Sequence, residues 1–398
     1  MAVNNRTVAE KQALNLYREF ELVSGVFLLV LSTVGVSSNS LLLISIWKKS
    51  NKLFRSPTTN FIIGLAIADL LTGLTTEPFF ALYYFVCYYN SPGSDITSFK
   101  TVFKVGAIIS TITVSSSFII VLALSCSQYV AIEYPHKYKK FVTKKRTLII
   151  VLSSWIYFFC FGFLRFGDIN EEIYFKVHLA IHSSLVSLIL FVILVLLYRS
   201  FQRKLSQSNE ASYSLTNVSQ KLASNDQLNS SRLSLKRTNQ NPSLYFKSNE
   251  NGSVRNSIAS EEALDKVSSA VSNISVTKNR LIRTNMVRKS QRKILIERQL
   301  TYVSFYLASI LLISALPHVI LAQTFLYRQD SFNWRKKIDF RIALLVSDIF
   351  LLLKVGLDPF VYAWRLTSYR QALRETLGWC CRPEMSTPRT NGPSSNKI

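Results

Sequence analysis

The chain has 398 residues, 48% of them hydrophobic and only 18% charged, against about 25% charged in soluble domains. Its net charge is +24, but Lys and Arg sit in short blocks between apolar runs and in one long polar stretch, which fits membrane topology and lipid headgroups and argues against a nucleic-acid partner. No metal-ligand cluster, nucleophile triad or phosphate loop is present, so neither an enzyme, a metal nor a cofactor is expected.

Residues 1–20 are polar and are expected to lie outside the cell, where Asn5-Arg6-Thr7 is an N-glycosylation acceptor. The apolar run that follows is too long and too late for a cleaved signal peptide and reads as a first span. A spanning helix needs about 20 mostly apolar residues and must satisfy its own backbone in lipid. Seven segments qualify: Leu22–Trp47, Thr58–Tyr84, Val102–Ile132, Leu148–Phe166 and Val177–Tyr198 within residues 21–198, then Ile294–Phe325 and Phe340–Trp364 within residues 294–364. A short polar loop, Gly167–Lys176, joins the fourth and fifth.

Between the fifth and sixth spans, residues 199–293 are Ser- and Asn-rich, with 17 Lys and Arg against 6 Asp and Glu. Such a stretch buries too little apolar surface to fold alone and reads as a disordered cytoplasmic loop. Its last part, Asn279–Arg298, is helix-friendly and is expected to extend the sixth helix. Ser206 follows Arg203-Lys204-Leu205 in a basophilic kinase pattern. In residues 365–379, Leu366, Tyr369, Leu373 and Leu377 recur on one face, which predicts an interfacial amphipathic helix with Gly378 as its stop. Cys380 and Cys381 open the tail, 380–398, and are candidates for S-palmitoylation. Cys126 and Cys160 lie inside spans and Cys87 stands alone, so no disulfide framework follows.

Short loops set the orientation. Lys48, Lys49, Lys52 and Arg55 mark one inner loop; Lys137, Lys139, Lys140, Lys144, Lys145 and Arg146 mark the next. The intervening loops carry Asp95 and Lys100, then Asp168, Glu171 and Glu172 against Lys176. This bias places the N-terminus outside and the C-terminus in the cytoplasm of a plasma-membrane protein. Tyr327–Arg341, with Arg328, Arg335, Lys336, Lys337 and Arg341 against Asp330 and Asp339, is the exception.

Motifs recur in order within the spans: Ser38-Asn39-Ser40-Leu41 in the first, Leu65-Ala66-Ile67-Ala68-Asp69-Leu70 in the second, Ser127-Gln128-Tyr129 followed by Ala131-Ile132 and Pro135 at the end of the third, Trp155 in the fourth, Pro317 in the sixth and Asp358-Pro359-Phe360-Val361-Tyr362 in the seventh. Together they resemble the rhodopsin-like (class A) G-protein-coupled receptors. The resemblance covers about Ser24 to Cys381 apart from the long loop, and it implies an all-α membrane protein: a seven-transmembrane helix bundle with a short amphipathic eighth helix. It also implies an extracellular ligand, a heterotrimeric G protein and membrane lipids as partners, with Pro317 and Pro359 as switch kinks and Tyr198 as the inner tyrosine of the fifth helix.

Charges inside a span cost about 2.5–3.5 kcal/mol each on insertion scales and mark function by default. In the family the acid matching Asp69 binds a sodium ion, helped by the positions of Ser117 and Lys354, with Asp358 and Asn39 nearby. Here the usual Asn is Lys354, one turn from Asp358. The expectation is that its ammonium replaces the ion and bridges the two carboxylates, so that the cluster titrates as a unit. The opsin lysine sits two residues earlier, at Leu352, about 200° around the helix, which argues against a retinal Schiff base.

Other positions depart from the pattern. Gln128 and Ser127 replace the Arg and acid of Asp-Arg-Tyr, leaving a Gln128–Glu297 hydrogen bond as a weaker latch. Ala315 replaces the sixth-span Trp, Leu311 its Phe partner and Leu190 the fifth-span proline. Phe103 stands where the outer disulfide needs Cys. Ser110 replaces the aspartate of amine receptors, so an amine ligand lacks its counter-ion; Ser110, Ala315 and Leu352 are the expected pocket positions. The short second outer loop, the missing disulfide and Asp358-Pro359 lean toward the melanocortin, lysophospholipid, cannabinoid and adenosine receptors. Three functions stay open: a G-protein-coupled receptor, a receptor-fold scaffold, decoy or dimer partner that no longer activates G proteins, and, more remotely, a transporter or channel.

Overall fold

The computed structural model describes residues 8–48, 56–90, 97–167, 170–207, 210 and 298–380, and among these there is no strand. The first compact unit is formed by the chain up to Ser200 and again from Gln299. Seven long helices build it: α1 (Val8–Lys48), α2 (Pro57–Tyr89), α3 (Thr97–Glu133), α5 (Lys144–Phe163), α6 (Glu171–Gln207), α7 (Arg298–Ser331) and α8 (Trp334–Arg365). A short α4 (Pro135–Phe141) follows α3, and α9 (Thr367–Cys380) follows α8. Of the second unit, Phe201–Arg298, only the end of α6, Glu210 and Arg298 are described.

All of these long helices except α8 are long and apolar enough to cross a membrane. The exception, α8, carries Asp348, Lys354 and Asp358 within its apolar part. The outer faces are greasy: Ile149, Leu152, Ile156 and Phe159 on α5, and Leu188, Phe191 and Val192 on α6, are exposed. Buried inside instead are Asn39, Thr72, Thr113, Ser116, Ser125 and Ser304. Apolar groups outward and polar groups inward is the arrangement a lipid solvent selects, and the chain is a multi-pass membrane protein.

Helix ends differ from the sequence-based boundaries where caps or packing extend them. Helix α1 starts at Val8, well before Leu22, because Ala9, Glu10, Lys11, Gln12 and Ala13 are strong helix formers and Tyr17 and Phe20 pack on a core of Leu28, Leu31, Phe80, Tyr84 and Leu345. The loop expected over Gly167–Lys176 ends early: Asn170 Oδ1 accepts from the Glu172 amide at 2.8 Å and starts α6 at Glu171. Asn333 caps α8 in the same way, accepting from the Lys336 amide at 2.9 Å. Gly378 does not stop α9, which runs on to Cys380.

The expected apolar face of α9 holds at Leu366, Tyr369 and Leu373, which join or pack against the main core, and departs at Leu377, which is exposed while Ala372 and Thr376 are buried. Tyr369 joins the main core with Leu42, Phe61, Leu124, Leu307 and Tyr362, and the Ser45 hydroxyl meets Thr376 at 3.5 Å. Helix α9 is therefore held by α1 and by the main core. The long loop expected from residue 199 begins later, because α6 runs on to Gln207; residues 211–297, with the stretch Asn279–Glu297, lie outside the described residues.

One glycine sets a close approach. A Cβ on Gly64 of α2 meets Val151 Cγ1 of α5 at 2.6 Å, below any relaxed contact. Gly64→Val is expected to cost about 1–3 kcal/mol through overpacking, read as a lower melting temperature of the detergent-purified protein. An unchanged melting temperature counts against this contact.

Candidate functional site

Three charges meet in the middle of the bundle. Lys354 Nζ on α8 donates to Asp69 Oδ1 on α2 at 2.8 Å and lies 3.1 Å from Asp358 Oδ2, one turn along its own helix. All three side chains are at most 3% exposed. Asn39 braces the site from α1, its Nδ2 donating to Gly35 O at 3.0 Å and Val355 O at 3.1 Å. The Ser117 hydroxyl donates to Thr113 O of its own helix at 3.0 Å rather than to the triad. An ammonium stands between the carboxylates, so the residues here do not fit a sodium ion at the same point.

A cavity of about 310 Å³ lies toward the N-terminal side of the bundle, at the small end of ligand pockets. Ser110, Ala315 and Leu352 line it, among Phe80, Phe103, Val114, Phe118, Leu179 and Val319. Leu352 faces it and Lys354 does not. Phe103 stacks on Phe80 at 5.1 Å and lies 4.5 Å from Tyr83, so ring packing holds the start of α3 to α2. Cys87, Cys126 and Cys160 are free.

The polar side of the cavity falls on α6, α7 and α8. His178 and His182 occupy a π-helical turn of α6, His178–Leu185, a distortion frequent at functional sites. His182 Nε2 is 2.8 Å from the Tyr157 hydroxyl, and the two histidine Nδ1 atoms are 3.3 Å apart. His318 Nδ1 of α7 is 2.7 Å from Asp348 Oδ1 of α8. Arg165, at the end of α5, places its guanidinium 4.9 Å over the Phe175 ring. Among the described residues no group of His, Cys, Asp and Glu could hold a metal.

At the C-terminal side, Gln128 is buried and Thr301 Oγ1 of α7 donates to its Oε1 at 3.5 Å. Glu297 lies outside the described residues. The Ser127 hydroxyl turns back to Leu124 O at 2.7 Å, Tyr129 is half-buried, and Tyr198 is exposed with its ring 6.1 Å from Phe305. Ser125 and Ser304 hydroxyls meet at 3.1 Å between α3 and α7. Arg365 Nη2 donates to Tyr306 Oη at 2.8 Å and lies over Tyr302, Tyr306 and Trp364 at 4.6, 4.9 and 4.5 Å. Both helices run through their prolines, with Pro317 exposed and Pro359 and Tyr362 buried. Ser206 is exposed near the end of α6; Asn5, Cys381 and the Cys380 side chain are not among the described groups.

Several residues here escaped the sequence reading. His178, His182, His318, Asp348 and the fully buried Glu77, whose carboxylate oxygens have no protein donor, all stand in or beside apolar runs. An ionisable group inside a span was the available signal. The Arg365 clamp left none, since Tyr302 and Tyr306 read as ordinary span aromatics.

The model of the "7 transmembrane receptor (rhodopsin family)" matches residues 38–362. The chain is similar to Melanopsin-B of Gadus morhua, 29% identical over 131 residues, 33% of this chain and 20% of that protein. It is similar to the alpha-1A adrenergic receptor of Bos taurus, 31% identical over 132 residues, 33% of this chain and 26% of that protein. The histamine H2 receptor of Cavia porcellus is 27% identical over 146 residues, 36% of this chain and 38% of that protein. The matched stretches thus span well under half of these relatives. With relatives of these kinds, the leaning toward the melanocortin, lysophospholipid, cannabinoid and adenosine receptors is only weakly supported. The crystal structure of squid rhodopsin shares the fold, with a TM-score of 0.59 at 15% identity over 92% of this chain and 89% of that one. The relatives are receptors, not enzymes, and the family match runs from the Asn39 motif of α1 to Tyr362 of α8: the chain belongs to the rhodopsin family of seven-transmembrane receptors.

Proposed function

We propose that the protein is a cell-surface receptor that binds a small extracellular ligand in the cavity and signals to a heterotrimeric G protein by helix rearrangement, with its N-terminus outside and its tail in the cytoplasm. The observation that carries this is continuity along α8. Asp348, Leu351 and Leu352 line the cavity, and the next turn carries Lys354 and Asp358 of the charged triad. A ligand that favours one position of α8 therefore biases the triad, and the response is a population shift. In this reading Lys354 does the work of the sodium ion in relatives, Asn5 carries a glycan, Cys380 and Cys381 carry acyl chains, and Ser206 is a phosphorylation site. Ser110 leaves an amine without its usual counter-ion.

The test is a G-protein biosensor screen in cells against a ligand panel, run on the wild type and on Gln128→Arg. Gln128 carries no charge for the G protein to meet, so weak activation is expected from the wild type and about ten-fold stronger activation from Gln128→Arg, the gain of a charge-assisted bond. Silence from both across the panel favours the second reading, a receptor-fold scaffold, decoy or dimer partner. Gln128, held across to α7 by a long 3.5 Å bond from Thr301, and the buried Ala315 in place of the Trp speak for that reading.

A further inference from the structure

We propose that the cavity takes a small apolar carboxylate whose anion pairs with the Arg165 guanidinium. The inference rests on the reading of this cavity as the ligand site and adds the ligand's chemical class.

The wall decides the body of the ligand. Phe80, Phe103, Val114, Phe118, Leu179 and Val319 present rings and branched chains, and burying apolar surface there is the main gain available. A volume of about 310 Å³ suits an aryl or branched group rather than a long tail.

The charges decide the head. Asp348 is the one acid among the described lining residues, and its Oδ1 is engaged by His318 Nδ1 at 2.7 Å. His178 and His182 face each other, and His182 also meets Tyr157. Ser110 is neutral. Arg165 differs: among the described residues its Nε is buried without an acceptor, and its guanidinium lies over the π-face of Phe175 at 4.9 Å with no carboxylate paired to it. A partly desolvated guanidinium without an anion is costly, and its planar fork fits a carboxylate in bidentate fashion. The approach favours the same sign. Arg328, Arg335 and Arg341 are exposed around the turn between α7 and α8, and a basic lip steers anions toward the pocket.

The experiment uses the full chain in lipid nanodiscs and a pair of probes equal in size and opposite in charge, phenylbutyrate and phenylbutylamine. Binding is read directly, by saturation-transfer NMR and by the shift in melting temperature. Phenylbutyrate is expected to bind saturably and phenylbutylamine at least about ten-fold more weakly, the effect of one charge-assisted contact. Arg165→Gln is expected to weaken phenylbutyrate by about the same factor, and Arg165→Lys by less, because the fork is lost but the charge is kept. Melting of each variant without probe must match the wild type; where Arg165→Gln melts lower, the Arg165→Lys comparison decides. Equal or better binding of the amine, no saturable binding of phenylbutyrate, or an affinity unmoved by both Arg165 variants overturns the proposal. Saturable binding with no G-protein response leaves it standing and faults only the signalling reading.

Discussion

Lys354→Met is expected to destabilise the receptor by about 3–5 kcal/mol, the usual result of removing one partner from a buried ion pair. Here it leaves two carboxylates, Asp69 and Asp358, each about 1% exposed and stripped of a counter-charge 2.8 and 3.1 Å away. The cost rises steeply with the number of orphaned charges, so a series separates the cause. Asp69→Asn keeps an acceptor for the ammonium and leaves a one-to-one pair with Asp358; its cost is expected to be the smaller. The triple variant Asp69→Asn, Lys354→Met, Asp358→Asn removes every charge and is expected to recover much of the loss, as uncharged replacements of buried ion clusters do. Melting of the purified protein ranks the variants. A Lys354→Met melting point equal to the wild type would show that the ammonium does not hold the bundle together. Wild-type melting is also expected to be the same in sodium chloride and choline chloride at equal ionic strength. A rise specific to sodium would place an ion beside Asp69 and count against the lysine as its substitute.

The sequence carried this cluster plainly because charge inside an apolar run has few explanations. Asp69, Lys354 and Asp358 were visible one at a time, and the turn between the last two put them on one face. The bundle itself was legible for a similar reason: about 20 apolar residues in lipid leave the backbone no alternative to a helix. What escaped depends on contacts between distant segments. Arg165 lies at the last turn of the expected fourth span, where a charge is unremarkable until Phe175 of α6 comes beneath it. Thr376, which has no part in the expected apolar face of α9, is buried because Ser45 of α1 meets it. Boundaries failed where Asn170 and Asn333 cap their helices, a signal present in the sequence but outweighed by the polar character of the neighbouring residues.

Arg365→Ala is expected to raise basal activity, because the clamp around Arg365 is a charged tie between α7 and α8 at the C-terminal side. With Gln128 in place of an arginine, the bond from Thr301 to α3 is long, at 3.5 Å, and the Ser125–Ser304 contact joins two neutral hydroxyls. Arg365 instead brings a full charge to Tyr306 Oη at 2.8 Å and to the faces of Tyr302 and Tyr306. Partly desolvated cation–π contacts of this kind are worth about 2 kcal/mol, roughly thirty-fold in an equilibrium. An outward swing of the Gln299 end of α7 must break them, so their loss should shift the resting population toward the open state by that factor. Arg365→Ala alone could also remove a contact to the G protein, and Tyr306→Leu breaks the same clamp from the α7 side without touching α8. Both variants are expected to raise basal biosensor output at matched surface expression, and to lengthen the distance between spin labels on the C-terminal-side ends of α3 and α7. If neither variant lengthens that distance, α7 is held by something other than Arg365, and a latch built on a cation rather than on the missing arginine of α3 is the wrong account of the resting state.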